Sequence, residues 1–177
     1  MMNPLETFST DRLILRRPVP NDAEAVFAYA SDSDVMRYLP RLPSTDIAES
    51  RAFLERCERV WETHEALVWA ITLNQGMSLI GMIEGRLSAH GVELGYVLNR
   101  PWWGNGYMTE AAGPVIEWAL GEPDVHRVWA YTDVDNQASQ RVLERLGMQR
   151  EGTLHRWMTH PTPSDAPSDA FMYAIWK

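Results

Sequence analysis

The sequence predicts a mixed α+β fold: one central sheet of about seven strands, antiparallel in its N-terminal part and parallel at its centre, flanked by about four helices. Two observations carry this. Three apolar runs, at 67–73, 78–87 and 92–98, are separated by turn signals at Asn74-Gln75-Gly76 and Ala89-His90-Gly91. Links this short join only antiparallel neighbours, because a parallel crossover takes a dozen or more residues. Next, Met108, Ala111, Ala112, Val115, Ile116 and Ala119 fall at i, i+3, i+4, i+7, i+8 and i+11, one stripe along an α-helix. This helix stands between the run ending at Leu98 and another at 125–132, so those two strands form a parallel pair with a right-handed crossover.

Taken in order, Asp11 to Arg17 alternates as a first strand, and Pro18 and Pro20 end it. Asn21 and Asp22 offer N-caps for a helix with Ala23, Val26, Phe27 and Ala30 on one face. Ser44 or Thr45 is expected to cap a second helix carrying Ile47, Phe53, Leu54, Cys57 and Trp61. The striped helix is expected to open at Thr109. Pro114 lies inside it and lacks a backbone N–H, so a kink or a later start is expected. Asp135 or Asn136 opens a further helix, with Ala138, Val142 and Leu146 on one face and Gly147 just past its end. Strands over 148–157 and 170–176 close the chain. The link between them holds a tandem Pro-Ser-Asp-Ala repeat at 163–166 and 167–170 and reads as a hairpin loop.

At 177 residues the chain fits one domain, 1–177, able to bury a substantial core. Hydrophobic content of 45% and charged content of 23% suit a water-exposed globular fold. The first residues lack a basic start followed by an apolar run, and no stretch approaches the roughly 20 apolar residues of a membrane span, so a cytoplasmic protein is expected. The single cysteine, Cys57, excludes an intramolecular disulfide and a thiolate metal cluster. A net charge of −8 disfavours a nucleic-acid surface and mildly suits a cationic acceptor.

The stretch Trp103-Gly104-Asn105-Gly106-Tyr107-Met108 lies between strand and striped helix. Two glycines let the backbone come close to a ligand, and a helix N-terminus attracts anions through its free N–H groups and dipole. A phosphate-bearing ligand is the physical reading, with a structural turn as the alternative. The dinucleotide fingerprint fails because Thr109 stands at its third glycine, and no Gly-Lys pair makes a Walker loop. Residues 133–144 imitate a calcium loop, but Ala138 stands where the sharp turn needs Gly, and the histidines show no metal spacing, so no metal is expected.

The nine residues Trp103-Gly104-Asn105-Gly106-Tyr107-Met108-Thr109-Glu110-Ala111 closely resemble the acetyl-CoA loop of the GNAT acetyltransferases, in the branch of the ribosomal-protein N-terminal (RimJ/RimL-like) acetyltransferases. Trp103 and Met108 depart from the general form of that loop, which has Gln or Arg and Gly or Ala there. A second motif of the family, N-x-x-S before a helix ending in L-G-[FM], is matched by Asn136-Gln137-Ala138-Ser139 and Leu146-Gly147-Met148. The resemblance spans nearly the whole chain. It implies a GNAT fold and transfer of an acetyl group from acetyl-CoA to a primary amine, either a protein N-terminus or a small molecule. It also implies Asn136 on the cofactor's pantetheine, Ser139 near the thioester sulfur and residues 34–40 walling the acceptor site. Backbone N–H groups at Tyr96, Val97 and Leu98 would hold the thioester carbonyl. A base is needed because amines are mostly protonated at neutral pH; Glu93 is the first candidate and Glu84 the second. Trp69, Trp102, Trp103 and Trp157 are candidates for the cleft wall, where they would also hold a cation, with core packing as the alternative. A monomer or homodimer is expected, and a catalytically silent acetyl-CoA sensor is the alternative function.

Overall fold

The structure, a computed structural model, describes residues 4–76, 78–159, 161 and 166–177. Its strands are β1 (Thr7–Ser9), β2 (Leu13–Arg16), β3 (Ala66–Leu73), β4 (Leu79–Ser88), β5 (Gly91–Leu98), β6 (Arg127–Asp133), β7 (Gln149–Met158) and β8 (Ser168–Trp176). The helices are α1 (Ala23–Ala30), α2 (Ser33–Met36), α3 (Ile47–Thr63), α4 (Tyr107–Gly121) and α5 (Gln137–Arg145). Among the described residues the strands make one sheet in the order β1-β2-β3-β4-β5-β6-β8-β7. The β5–β6 pair is parallel and every other pair is antiparallel. The mixed sheet is as expected, with an eighth strand because Thr10 to Arg12 turn the first run back on Thr7–Ser9.

β3 reads ALVWAITL and is buried over nearly its whole length, since both faces are covered. Trp69 is fully buried there, edge-on to Phe8, Trp61 and Trp118 at 5.5, 5.5 and 5.8 Å, with its indole N–H donating to Leu5 O at 2.9 Å. Trp69 is the hub of these edge contacts, so it belongs to packing and not to the cleft wall.

Several helix starts differ from expectation. Asp22 turns its buried carboxylate to Arg16 and to the Val19 N–H instead of capping α1. Asp46, not Ser44 or Thr45, caps α3: it accepts from Ala48 N–H at 2.8 Å, while Glu49 reaches back to Thr45 and Asp46 N–H. This reciprocal capping box satisfies donors at both positions and is typically worth about 1 kcal/mol. The striped helix starts earlier than Thr109, with Gly106 as its N-cap, and it runs on through Pro114. In α5 the residue turned fully into the core is Leu143, with Val142 and Leu146 beside it, whereas Ala138 is exposed. Much of the 159–170 link, including most of the first Pro-Ser-Asp-Ala repeat, lies outside the described residues.

Candidate active site

The parallel pair at the centre of the sheet is short. β5 and β6 pair at Val92↔Val128 and Glu93↔Trp129 and then part. Asn99 N–H donates to Ile80 O at 2.8 Å, which sets the alternation along β5. Val97 and Gly95 turn their backbone polar groups to β4, so the N–H groups of Tyr96 and Leu98 turn to the open edge. Of the three expected carbonyl holders, Tyr96 and Leu98 face the gap and Val97 faces the ladder. The Trp103 indole N–H covers Leu98 O at 2.6 Å.

The loop that follows bends twice through the left-handed region, at Gly104 (φ +77°) and Gly106 (φ +78°), where a side chain would be strained. A Cβ at Gly104 would meet open space, so the conformation and not crowding within the chain calls for glycine there. Asn105 Nδ2 donates to Trp102 O and Trp103 O and closes the turn. No side chain caps α4, and Glu110 N–H, bonded to Gly106 O at 3.0 Å, is the first in the helix with an intrahelical acceptor. The N–H groups of Tyr107, Met108 and Thr109 therefore point out of the helix end with its positive dipole.

This end is held from the turn between β1 and β2. Glu110 accepts from Thr10 Oγ1 at 2.6 Å and from Arg12 N–H and Nε at 3.0 and 2.6 Å. Arg12 also donates to Asn105 O at 3.1 Å and lies 4.3 Å from the Tyr107 ring centre. Burial would raise the Glu110 carboxyl, but the bonds from Thr10 and Arg12 outweigh it and lower it. Sequence reasoning missed this clamp, because Arg12 and Glu110 stand 98 residues apart and nothing local links them.

On the other flank of the gap, Asn136 caps α5, its Oδ1 accepting from Ser139 N–H at 3.1 Å. Ser139 Oγ lies 2.7 Å from the Tyr96 hydroxyl. Burial pushes the Tyr96 phenol well above the usual tyrosine range, so it keeps its proton at neutral pH.

One cleft of about 700 Å³ takes in the loop, Asn136, Ser139 and a polar floor. That floor lies where β4 turns from apolar to charged: Arg86 sits directly across from Glu93 and two residues from Glu84, so all three share a face. Arg86 pairs with Glu93 and with Glu84 at 3.2 Å. Burial alone would lower the Arg86 guanidinium, but the two carboxylates raise it. Tyr131 is raised by burial and by Glu93. Glu84 and Glu93 thus stand together, bridged by an arginine that the sequence reading did not single out. Trp102, Trp103 and Trp157 line the cleft, with Trp157 edge-on to Tyr131 at 6.0 Å. Tyr38 of the 34–40 segment lines it too, and its hydroxyl donates to Asp135 O at 3.4 Å. Among the described residues no cluster of three metal-ligating side chains occurs, and no helix is long and apolar enough to cross a membrane.

A mixed sheet that opens beside a bare helix N-terminus is the architecture of an acyl-CoA-binding transferase. Residues 12–149 match the acetyltransferase (GNAT) domain family, and the chain belongs to it as an acetyl-CoA-dependent N-acetyltransferase. It is 30% identical over 171 residues to the N-acetyltransferase YoaA of Bacillus subtilis, covering 95% of each chain. It superposes on an acetyltransferase of the GNAT family from Bacillus anthracis with TM-score 0.85 and 29% identity, over 96% of this chain and 98% of the other. RimL, a ribosomal L7/L12 α-N-protein acetyltransferase solved with coenzyme A, shares the fold at TM-score 0.85 and 19% identity, over 97% and 98% of the two chains.

Proposed function

We propose that this chain acetylates a primary amine, on a protein N-terminus or a small molecule, by direct attack of the neutral amine on the thioester of acetyl-CoA. The observation that carries the reading is the gap between β5 and β6, with the unpaired N–H groups of α4 on one side and the Tyr96–Ser139 hydroxyl pair on the other. In this reading the loop of Trp103, Gly104, Asn105 and Gly106, with the N–H groups of Tyr107, Met108 and Thr109, receives the pyrophosphate. Asn136 spends its carbonyl oxygen on the cap and keeps its amide N–H groups for the pantetheine. Tyr96 and Leu98 N–H hold the carbonyl oxygen as it becomes an oxyanion.

The amine nitrogen forms its bond to the carbonyl carbon, the C–S bond breaks, and the electron pair leaves on sulfur. Ser139 donates a hydrogen bond to that thiolate. The proton lost by the amine goes to the carboxylates of the floor, with Glu93 first and Glu84 second. Such a base is needed because free α-amines titrate near 7.7–8.0 and lysine near 10.4. Release of free thiol from acetyl-CoA, followed with a panel of amines, tests the reading. Amine-dependent release is expected, and acetyl-CoA binding without turnover of any amine would refute it.

A further inference from the structure

Charge in the cleft runs against charge in the chain. Acidic residues outnumber basic ones 24 to 16 over the sequence, yet among the described residues six arginines and four acidic side chains line the cleft. Arg86 is taken up by the carboxylates of the floor. Arg41 and Arg56 are not. Both lay their guanidinium groups over the ring of Phe53 on α3, with the central carbon 5.1 and 5.4 Å from the ring centre. Among the described residues neither pairs with a carboxylate, whereas Arg12, Arg16, Arg17, Arg100 and Arg127 each do. Stacking fixes the plane of a guanidinium and leaves its in-plane N–H groups for another acceptor.

Two further observations tie this pair to the acceptor end. Burial raises the Cys57 thiol, one helical turn from Phe53, and the charges acting on it besides are those of Arg56, Glu84 and Arg41. Arg41, Arg56, Phe53, Glu84 and Glu93 all line the one cleft. Tyr29, which lines this end of the cleft, also keeps a fully buried hydroxyl without a hydrogen-bond partner. Cationic donors on one side and carboxylates on the other suit a ligand that carries both charges.

We propose that the acceptor is an amine bearing an anionic group, a carboxylate or a phosphate, which Arg41 and Arg56 bind while Glu84 and Glu93 face the amine. The inference rests on the cleft being an amine-acetylating site. It narrows the mild preference for cationic acceptors drawn from net charge to acceptors that are dipolar.

Matched amines that differ only in the anion test it: phosphoethanolamine against ethanolamine, 4-aminobutanoate against 4-aminobutanamide, and dipeptide amides beginning with Asp against Asn. The anionic member of at least one pair should show kcat/KM about ten- to a hundredfold higher, as expected for hydrogen bonds to a charged group. The pair that responds identifies the source of the anion. In Arg41→Gln and Arg56→Gln the ratio should fall toward one while acetyl-CoA affinity is retained. Equal kcat/KM within every pair, a ratio that survives both substitutions, or a loss of acetyl-CoA affinity in their place would overturn the proposal. If no amine turns over, the acetylation reading fails by itself. Calorimetric binding of the same pairs to the protein saturated with coenzyme A then decides the arginines: tighter binding of an anionic member, lost in the variants, supports them, and equal binding refutes them.

Discussion

Tyr96 and Ser139 hold two hydroxyls 2.7 Å apart at the mouth of the β5–β6 gap. Because burial keeps the Tyr96 phenol protonated, it can donate to Ser139 Oγ and leave the serine's own proton for the departing sulfur. Charge on sulfur develops mainly in the transition state, so Ser139→Ala should lower kcat while the acetyl-CoA dissociation constant stays nearly unchanged. Proton donation of this kind is worth about 10²- to 10⁴-fold, with water recovering part of it. Tyr96→Phe, which acts only through Ser139, should show a smaller fall of the same kind. A loss confined to affinity in Ser139→Ala would make the residue a binding group. At Gly106 the left-handed φ of +78° is the constraint, since a Cβ would meet only Arg12 Nη2 at 3.7 Å. Gly106→Val should cost about 1–2 kcal/mol of stability through backbone strain and weaken acetyl-CoA binding. Unchanged affinity by calorimetry in the folded variant would remove the pyrophosphate role from the loop.

At the scale of elements, α4 is clamped to the turn between β1 and β2. Arg12→Ala removes the guanidinium donors to Glu110 and Asn105, leaving Thr10 Oγ1 and the backbone N–H of residue 12 on Glu110, and so loosens the loop it steadies. Because the pair is partly exposed, the stability cost should stay near 1 kcal/mol, a fall of about 2–4 °C in Tm. Acetyl-CoA affinity should fall several-fold more than that small loss explains, and an unchanged affinity would show that the clamp only decorates the surface. The strands from 66 to 98, the crossover helix and the Asn136 cap were legible because each depends on neighbours in sequence: a two-residue alternation, a 3.6-residue stripe, a side-chain oxygen three residues from its donor. The clamp, the Glu84–Arg86–Glu93 bridge and the Arg41–Phe53–Arg56 stack were not. They depend on register and on contacts between distant segments, and neither Arg86 nor Arg12 stands in a motif. The caps failed for a related reason. Ser44, Thr45 and Asp46 are all capping residue types, so composition does not choose among them, and the folded contact with Arg16 draws Asp22 away from α1.

For the molecule as a whole, burial shapes the response to alkali. Cys57 is pushed up to about 12 from an ordinary 9.0, and Tyr29 and Tyr96 are raised above 10.0, each by burial first. Above pH 9 the unfolded chain releases protons that the folded chain keeps, so the stability these groups contribute is present below pH 9 and is lost as pH rises from there. Each can subtract up to about 1.4 kcal/mol per pH unit while its two states differ. Denaturant titrations at pH 7, 9 and 10.5 should therefore show a flat first interval and a steep second one, and Cys57→Ala should soften the slope above pH 9. A stability that holds level to pH 10.5 would mean that these groups are not sealed from water.

The sheet parts between β5 and β6 beyond Glu93 and Trp129, and acetyl-CoA is proposed to enter there. A crystal structure of the chain with acetyl-CoA tests this most directly. The pyrophosphate is expected within about 3 Å of the N–H groups at the start of α4, the thioester oxygen at a similar distance from Tyr96 or Leu98 N–H, and the sulfur beside Ser139 Oγ. Acetyl-CoA bound with its pyrophosphate away from residues 104–109, or with its thioester outside the gap between β5 and β6, would contradict the account.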